Sequence, residues 1–274
     1  MDKQPGRLWV VATPIGNLDD VTARAQAVLR DADLICAEDT RHSAPLLARL
    51  GVATRTVALH EHNERDEAQR LVARLQAGER IALISDAGTP LVSDPGFRLV
   101  RAAREAGIAV SPVPGACAAI AALSVAGLPS DRFVFEGFLP AKSGARRERL
   151  GELAGDARTL VFYESSHRIA ESLADMAAVF GATRPAVVAR ELTKLYETVL
   201  DGPLGELVER VNGDANQQRG EFVVLVAGRP EEEDGKLAEG RRVFALLREE
   251  LPPARAAKLA AAITGAPRKA LYEA

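Results

Sequence analysis

The chain is short of the residues that staple a fold or anchor it in a membrane. Only Cys36 and Cys117 occur in 274 residues, too few for a disulfide framework, so a reducing compartment, the cytoplasm, is expected. No apolar run approaches the roughly 20 residues of a membrane helix, and the stretch from Met1 to Arg7 lacks the apolar centre of a secretory signal. Lysine is scarce: six of the 35 basic residues, the other 29 being arginine. Compositional bias explains this most simply, although arginine's planar fork also suits phosphate. Two nucleotide signatures are missing as well. No G-x-x-x-x-G-K-[ST] occurs, and the loop after the first strand carries one glycine where a dinucleotide fold carries three. What is present, 47% hydrophobic and 27% charged residues, is ordinary for a folded soluble protein and excludes a mostly disordered one. The formal net charge of −3 argues against nucleic acid as a partner if the charge is spread evenly.

The first half alternates continuous apolar runs (8–12, 34–37, 81–84, 109–110) with helical patterns near 21–29, 42–50, 64–77, 95–106 and 115–126. Runs without polar alternation indicate a parallel sheet covered on both faces. Gly127-Leu128-Pro129-Ser130-Asp131 interrupts the series. After it come strands from 133 and near 159–163, 186–190, 196–200 and 221–227, with helices near 145–153, 168–180 and 203–212. The segment 198–202 is expected to lie antiparallel to 221–225, which makes this half mixed α/β. Glu231-Glu232-Glu233-Asp234-Gly235 reads as a charged linker, followed by two helical stretches around Pro252-Pro253. The expected organisation is therefore an N-terminal α/β domain over 1–128, a mixed α/β domain over 129–230, and a linker with a small helical appendix over 231–274.

Ligands of open α/β sheets bind beyond the carboxyl ends of the strands, so the loops there carry the functional reading. Thr13-Pro14-Ile15-Gly16-Asn17 follows the first strand. Ser85 to Gly96 (S-D-A-G-T-P-L-V-S-D-P-G) is a long loop rich in Gly and Pro, whose amides can face a small polar ligand. Asp94-Pro95 within it also reads as a helix cap followed by proline at the first helical position. Pro114-Gly115-Ala116-Cys117-Ala118 is a turn of small residues that lets a ligand lie against a helix start. Tyr163-Glu164-Ser165-Ser166-His167-Arg168 closes a strand in the second half. His60-Glu61-His62 offers two histidines without a partnered third ligand, so no metal is expected.

Taken in order, T-P-I-G-N-L-D-D, A-E-D-T-R-H-S, L-I-S-D-A-G-T-P-L-V-S-D-P-G, V-P-G-A, F-Y-E-S-S-H-R and A-R-E-L-T-K-L-Y-E resemble the signature series of the bacterial 16S ribosomal RNA ribose methyltransferase I family. That family lies within the tetrapyrrole-methylase superfamily, and the resemblance covers about residues 8–228. It implies two α/β domains of the tetrapyrrole-methylase type with S-adenosylmethionine in the cleft between them, and a homodimer. It further implies methylation of a cytidine 2′-hydroxyl in the 16S rRNA of the small ribosomal subunit. Carried onto this chain, it places Pro14, Ile15, Gly16, Asp86, Gly88, Thr89, Pro90, Val92, Cys117, Ala118 and Glu164 at the cofactor. Thr89 stands where relatives in the superfamily often have Asp.

A ribose hydroxyl needs help to lose its proton. Candidates for base or orienting cation are Glu38, Asp39, Asp86, His167, Glu191 and Lys194, with Glu38 and Asp39 equally suited to capping a helix. Lys142, Arg146, Arg147 and Arg149, in a segment readable as a mobile arm, are candidates for RNA contact together with His167 and Arg168. The tail adds Arg255, Lys258, Arg268 and Lys269. Two other readings stay open: a methyltransferase acting on a tetrapyrrole or other small molecule, and a non-catalytic RNA-binding assembly protein on a methylase scaffold.

Overall fold

The computed structural model describes residues 6–60, 63–229 and 233–271, in two compact units, Met1–Gly228 and Arg229–Ala274. In the first unit β1 (Arg7–Val11), β2 (Leu34–Ala37), β3 (Thr56–Ala58), β4 (Arg80–Ile84) and β5 (Ala109–Val113) form a wholly parallel sheet in the order β3-β2-β4-β1-β5. The connections carry helices α1 (Ala23–Asp31), α2 (Thr40–Arg49), α3 (Glu64–Gln76) and α4 (Phe97–Glu105). The continuous apolar runs have the consequence expected of them. Ile35, Ala37, Ala82 and Ile84 pack against Leu29 and Leu47, while Leu34, Cys36, Ile81 and Leu83 pack on the opposite face against Leu71, Leu75 and Leu99. Burial pushes the Cys36 thiol up to about 12, which leaves it an inert core residue. β3 escapes a sequence reading because three half-buried residues make no apolar run.

α5 (Ala118–Val125) leads to a second sheet of β6 (Phe133–Phe138), β7 (Thr159–Ser165), β8 (Pro185–Arg190), β9 (Thr198–Pro203) and β10 (Glu221–Val226), in the order β6-β7-β10-β8-β9. Helices α6 (Ser143–Leu153), α7 (Ile169–Phe180) and α8 (Leu204–Gly213) cover it. β6 runs parallel to β7 and the other pairs are antiparallel. The expected pairing of 198–202 with 221–225 is corrected: β9 pairs with β8, Arg190 facing Thr198. β10 is buried along almost its whole length and so takes the centre, whereas β9, half-buried and exposed by turns, suits an edge. α5 is apolar nearly all round, and its Ala119, Ala122 and Leu123 pack on Val161, Val187 and Val223 of the second sheet.

Asp94-Pro95 does not cap α4. The helix begins after Gly96, and its free amides are taken by a carboxylate from elsewhere in the chain. Glu64 Oε1, 5% exposed, accepts from the amides of Gly96 at 3.1 Å, Arg98 at 2.6 Å and Leu99 at 3.4 Å. A buried anion at a helix N-terminus is favoured by the helix dipole and by the otherwise orphaned donors.

The second unit contains α9 (Glu233–Arg248), α10 (Pro253–Thr264) and a 3-10 turn over Arg268–Leu271. Phe244, Ala256, Ala257, Ala260, Ala266 and Leu271 form its core. Glu233 to Gly235, read as linker, are the first turn of α9; Glu231 and Glu232 lie outside the described residues, as do Glu61 and His62. Among the described residues no helix is long and apolar enough to cross a membrane, and no group of three His, Cys, Asp or Glu is placed to hold a metal ion.

Replacing Glu64 by Ala strips three backbone donors of their acceptor. The expected loss is about 1–3 kcal/mol of unfolding free energy, measurable by urea titration; an unchanged midpoint would show that water caps α4 equally well.

Candidate active site

β1 and β4 lie side by side, yet their connections leave in opposite directions, towards β2 and towards β5. A crevice opens where strand connections diverge in this way. The two loops are tied across it: Thr13 N donates to Gly88 O at 2.8 Å and Gly88 N to Thr13 O at 3.1 Å. Gly88 is in the left-handed region at φ +86°, and a Cβ there would come within 3.0 Å of Ile15 Cγ2. Thr89 Oγ1 donates to Ala116 O at 2.9 Å, so its hydroxyl fastens the loop to the turn before α5. A cavity of about 440 Å³ lies here, roofed by the second sheet.

Of the residues singled out in the sequence, Ile15, Glu38, Asp86, Gly88, Thr89 and Val92 line this cavity. So do Cys117, Ala118, Glu164 and Lys194. Pro14, Gly16, Asp39, Pro90 and Glu191 are not on its surface. Gly16 is nonetheless tightly placed: a Cβ on it would lie 2.3 Å from the Lys194 side chain. Asp39 caps α2, accepting from Arg41 N at 2.8 Å and pairing with the Arg41 guanidinium at 2.7 Å. Those hydrogen bonds hold its carboxyl far below the usual range, which suits Asp39 to its capping role. Glu164 is 3% exposed and accepts from Ser172 Oγ at 2.6 Å, Ser165 N at 2.8 Å and Arg168 Nη2 at 3.2 Å.

One wall is acidic. Asp86 takes the amide of Asp39 at 3.0 Å and faces His42 Nδ1 at 3.0 Å, a hydrogen bond that raises the affinity of His42 for its proton. Burial, and then the charge of Asp86, raise the carboxyl of Glu38. Asp94 points into the cavity rather than capping a helix. Burial drives it up to about 6 against an opposing hydrogen bond from Ser85, with the charges of Glu38 and Asp86 adding to the rise. The sequence signal for Asp94 was its loop, but the Asp-Pro pattern concealed its direction.

The opposite rim holds a cation. Lys194 Nζ donates to Glu191 Oε1 and to Glu221 Oε2, each at 2.8 Å. Burial alone would weaken its hold on the proton, but the two carboxylates outweigh it and the net shift is upward. Of the two roles expected for Lys194, base or orienting cation, the upward shift favours the cation. Glu191 is likewise unsuited to being a base: burial opposes, but Lys194 and the Glu221 amide lower its carboxyl overall. The non-glycine residues with left-handed backbone among those described, Leu91, Ser93, Glu191 and Thr193, all belong to loops bordering this cavity. Such strain persists where the surrounding structure imposes it, typically at ligand sites.

The basic segment is not a mobile arm. Arg146 is 1% exposed and pairs with Asp175 of α7 at 2.6 Å and Glu171 at 3.4 Å, which removes it from any RNA-facing surface. Arg147 also pairs with Asp175, and Arg149 is held by Glu136 at 2.7 Å and by Glu152. Arg168 Nη2 is spent on Leu139 O at 2.6 Å and on Glu164. Lys142 and His167 are exposed, as are Arg255, Lys258, Arg268 and Lys269 of the second unit.

The arrangement has counterparts. A uroporphyrin-III-C-methyltransferase from Thermus thermophilus superposes with a TM-score of 0.55 at 22% identity, over 81% of this chain and 94% of that one. A cobalt precorrin-4 methyltransferase of cobalamin biosynthesis gives 0.59 at 18%, with the same coverage of 81% and 94%. These likenesses show a shared fold of two α/β halves, each built on one sheet. Residues 7–208 match the model of the Tetrapyrrole (Corrin/Porphyrin) Methylases, and residues 234–274 that of the RsmI C-terminal HTH domain. A Xylella fastidiosa (strain Temecula1) protein called ribosomal RNA small subunit methyltransferase I is 63% identical over 98% of both chains. Proteins of that name from Pseudomonas aeruginosa (60%, covering 98% and 96%) and Escherichia coli O157:H7 (54%, covering 99% and 95%) are similar throughout. The chain belongs to the tetrapyrrole methylase family and, within it, to the group of ribosomal RNA small subunit methyltransferase I proteins.

The raised carboxyl of Asp94 fixes a pH dependence of stability. A group that holds its proton more tightly when folded contributes stability below its ordinary value of 3.8, lost as pH rises through about 6. Asp94→Asn is therefore expected to raise Tm by a few degrees at pH 8 and to bring little gain near pH 4. Melting curves that shift equally at both pH values would sink this.

Proposed function

We propose that this chain transfers the methyl group of S-adenosylmethionine to the 2′-hydroxyl of a cytidine ribose in 16S rRNA, acting in the cytoplasm as a homodimer. The observation that carries the RNA reading is the full-length similarity to proteins named for small-subunit rRNA methylation. A cavity of this size between the sheets favours an enzyme over a binding-only scaffold. The residues present suit the donor. A volume of about 440 Å³ falls within the usual range for small-ligand sites. Ile15, Ala118, Ala189, Leu192 and Val223 give an apolar lining, and the acidic wall of Glu38, Asp86 and Asp94 favours a positively charged sulfonium.

When bound, S-adenosylmethionine supplies an electrophilic methyl group on that sulfonium. The chain's part is mostly alignment, since an in-line displacement gains most from holding nucleophile, methyl and leaving group in register. The loop 85–96, tied to Thr13 and Ala116, presents a rigid wall for that purpose. Asp94 is the group best suited to accept the hydroxyl proton, because its carboxyl near 6 is ionised at neutral pH yet retains proton affinity. Lys194, kept charged, orients polar groups of the acceptor at the rim. Phosphate contacts come from the exposed Lys142, Arg147 and His167, and from Arg255, Lys258, Arg268 and Lys269 of the second unit, whose match to a helix-turn-helix model suits nucleic acid.

Incubation with methyl-labelled S-adenosylmethionine and small subunits lacking the modification is expected to place label on a cytidine ribose. Label only in a tetrapyrrole precursor would transfer the assignment to small-molecule chemistry, and no label in any acceptor would leave a binding protein. The rate should fall as pH drops through about 6, and Asp94→Asn should lower kcat by roughly 10²–10⁴-fold, a much larger effect than the weakening of cofactor affinity that follows from removing one of the three carboxylates of the wall. A variant at full rate would remove Asp94 from the chemistry.

A further inference from the structure

The bulge at the end of β6 has a purpose at the cavity mouth. The register of β6 against β7 shifts between Phe135 and Gly137, and Gly137 is left-handed at φ +65°. Bulges of this kind re-aim the next side chain. That side chain is Phe138, which lines the cavity and is still 55% exposed. Gly137 presses on the cavity loop, where a Cβ would lie 3.0 Å from Ser93 Oγ. The ring itself is held in place. It meets Tyr163 edge-on, with centroids 5.7 Å apart and planes at 66°. Tyr163 is fixed in turn by Phe135 at 4.9 Å and by the Ala119 amide, which donates to its hydroxyl at 3.1 Å. Of the other aromatic residues lining the cavity, Phe222 is buried and Tyr163 half-buried, so Phe138 alone among them offers an open ring face.

We propose that Phe138 is the stacking platform for the nucleobase whose ribose enters the cavity, an inference that rests on the ribose-methylation reading above. A 2′-hydroxyl reaches a recessed site only if its nucleotide leaves the base stack, and the stacking lost must be replaced on the protein. A rigid, half-exposed ring at the mouth of the site replaces it at little ordering cost. Stacking accepts any base, so Phe138 supplies affinity and placement, while base identity is read by other groups.

The test uses the full chain, labelled S-adenosylmethionine and small subunits lacking the modification, with Phe138→Ala, Phe138→Leu and Phe138→Tyr. Loss of one base–aromatic stack should lower kcat/KM for the subunit roughly five- to hundredfold in the Ala and Leu variants, with Tyr staying close to the parent. Cofactor Kd by calorimetry should be unchanged in all three. Phe138→Leu working as well as the parent protein would overturn the stacking role, since leucine keeps the apolar bulk without the π face. Loss of cofactor affinity instead would assign the ring to the adenine of the donor. A shift in oligomeric state by analytical ultracentrifugation would assign it to a second copy of the chain. Failure of the underlying reading is seen separately, in the parent protein: label absent from ribose before any variant is compared removes both proposals together.

Discussion

The site depends on one feature of chain tracing: β1 and β4 are neighbours whose connections depart in opposite directions. That divergence opens the crevice, and the reciprocal hydrogen bonds between Thr13 and Gly88 tie the loops after β1 and β4 together. Gly88 can make them only because it has no Cβ to press on Ile15 and tolerates a left-handed backbone. From this junction follow the position of the 85–96 loop, the strain at Leu91 and Ser93, and the inward turn of Asp94. The capping of α4 by Glu64, a residue of another helix, leaves Asp94 free of that task.

Charge is sorted across the cavity by pairing rather than by composition. The carboxylates of Glu38, Asp86 and Asp94 crowd one wall with few cations to neutralise them, so burial and mutual repulsion raise the proton affinity of Glu38 and Asp94. At the far rim, Glu191 and Glu221 share a single ammonium, and the same chemistry works in reverse, lowering Glu191 and raising Lys194. An acidic wall thus faces a rim that holds a carboxylate-paired lysine.

Much of this was legible along the chain. The parallel sheet could be read from apolar runs at 8–12, 34–37 and 81–84, because strands buried on both faces admit no polar alternation. The loops after β1, β4 and β5 stood out by their Gly and Pro content, and residues from each of them do line the cavity. The errors share a cause. Arg146 looks like an RNA contact in sequence and is a buried partner of Asp175, 29 positions away. Asp94 looks like a cap, and 198–202 like a neighbour of β10. For Arg146 the deciding partner is remote in sequence, whereas β9 pairs with the strand just before it, so what the sequence conceals is the pairing itself and not its distance along the chain.

The sequence by itself therefore determined which segments become strands and helices, and which loops are stiff enough to hold a ligand. Those properties arise from local sterics and from the periodicity of apolar residues. Only the tertiary structure decided the raised proton affinity of Asp94, the pairing of Lys194 with Glu221, the burial of Arg146 and the outward turn of Phe138. Proton affinity and exposure are set by which groups lie within a few ångströms, and that distance is fixed by packing between elements rather than by separation along the chain.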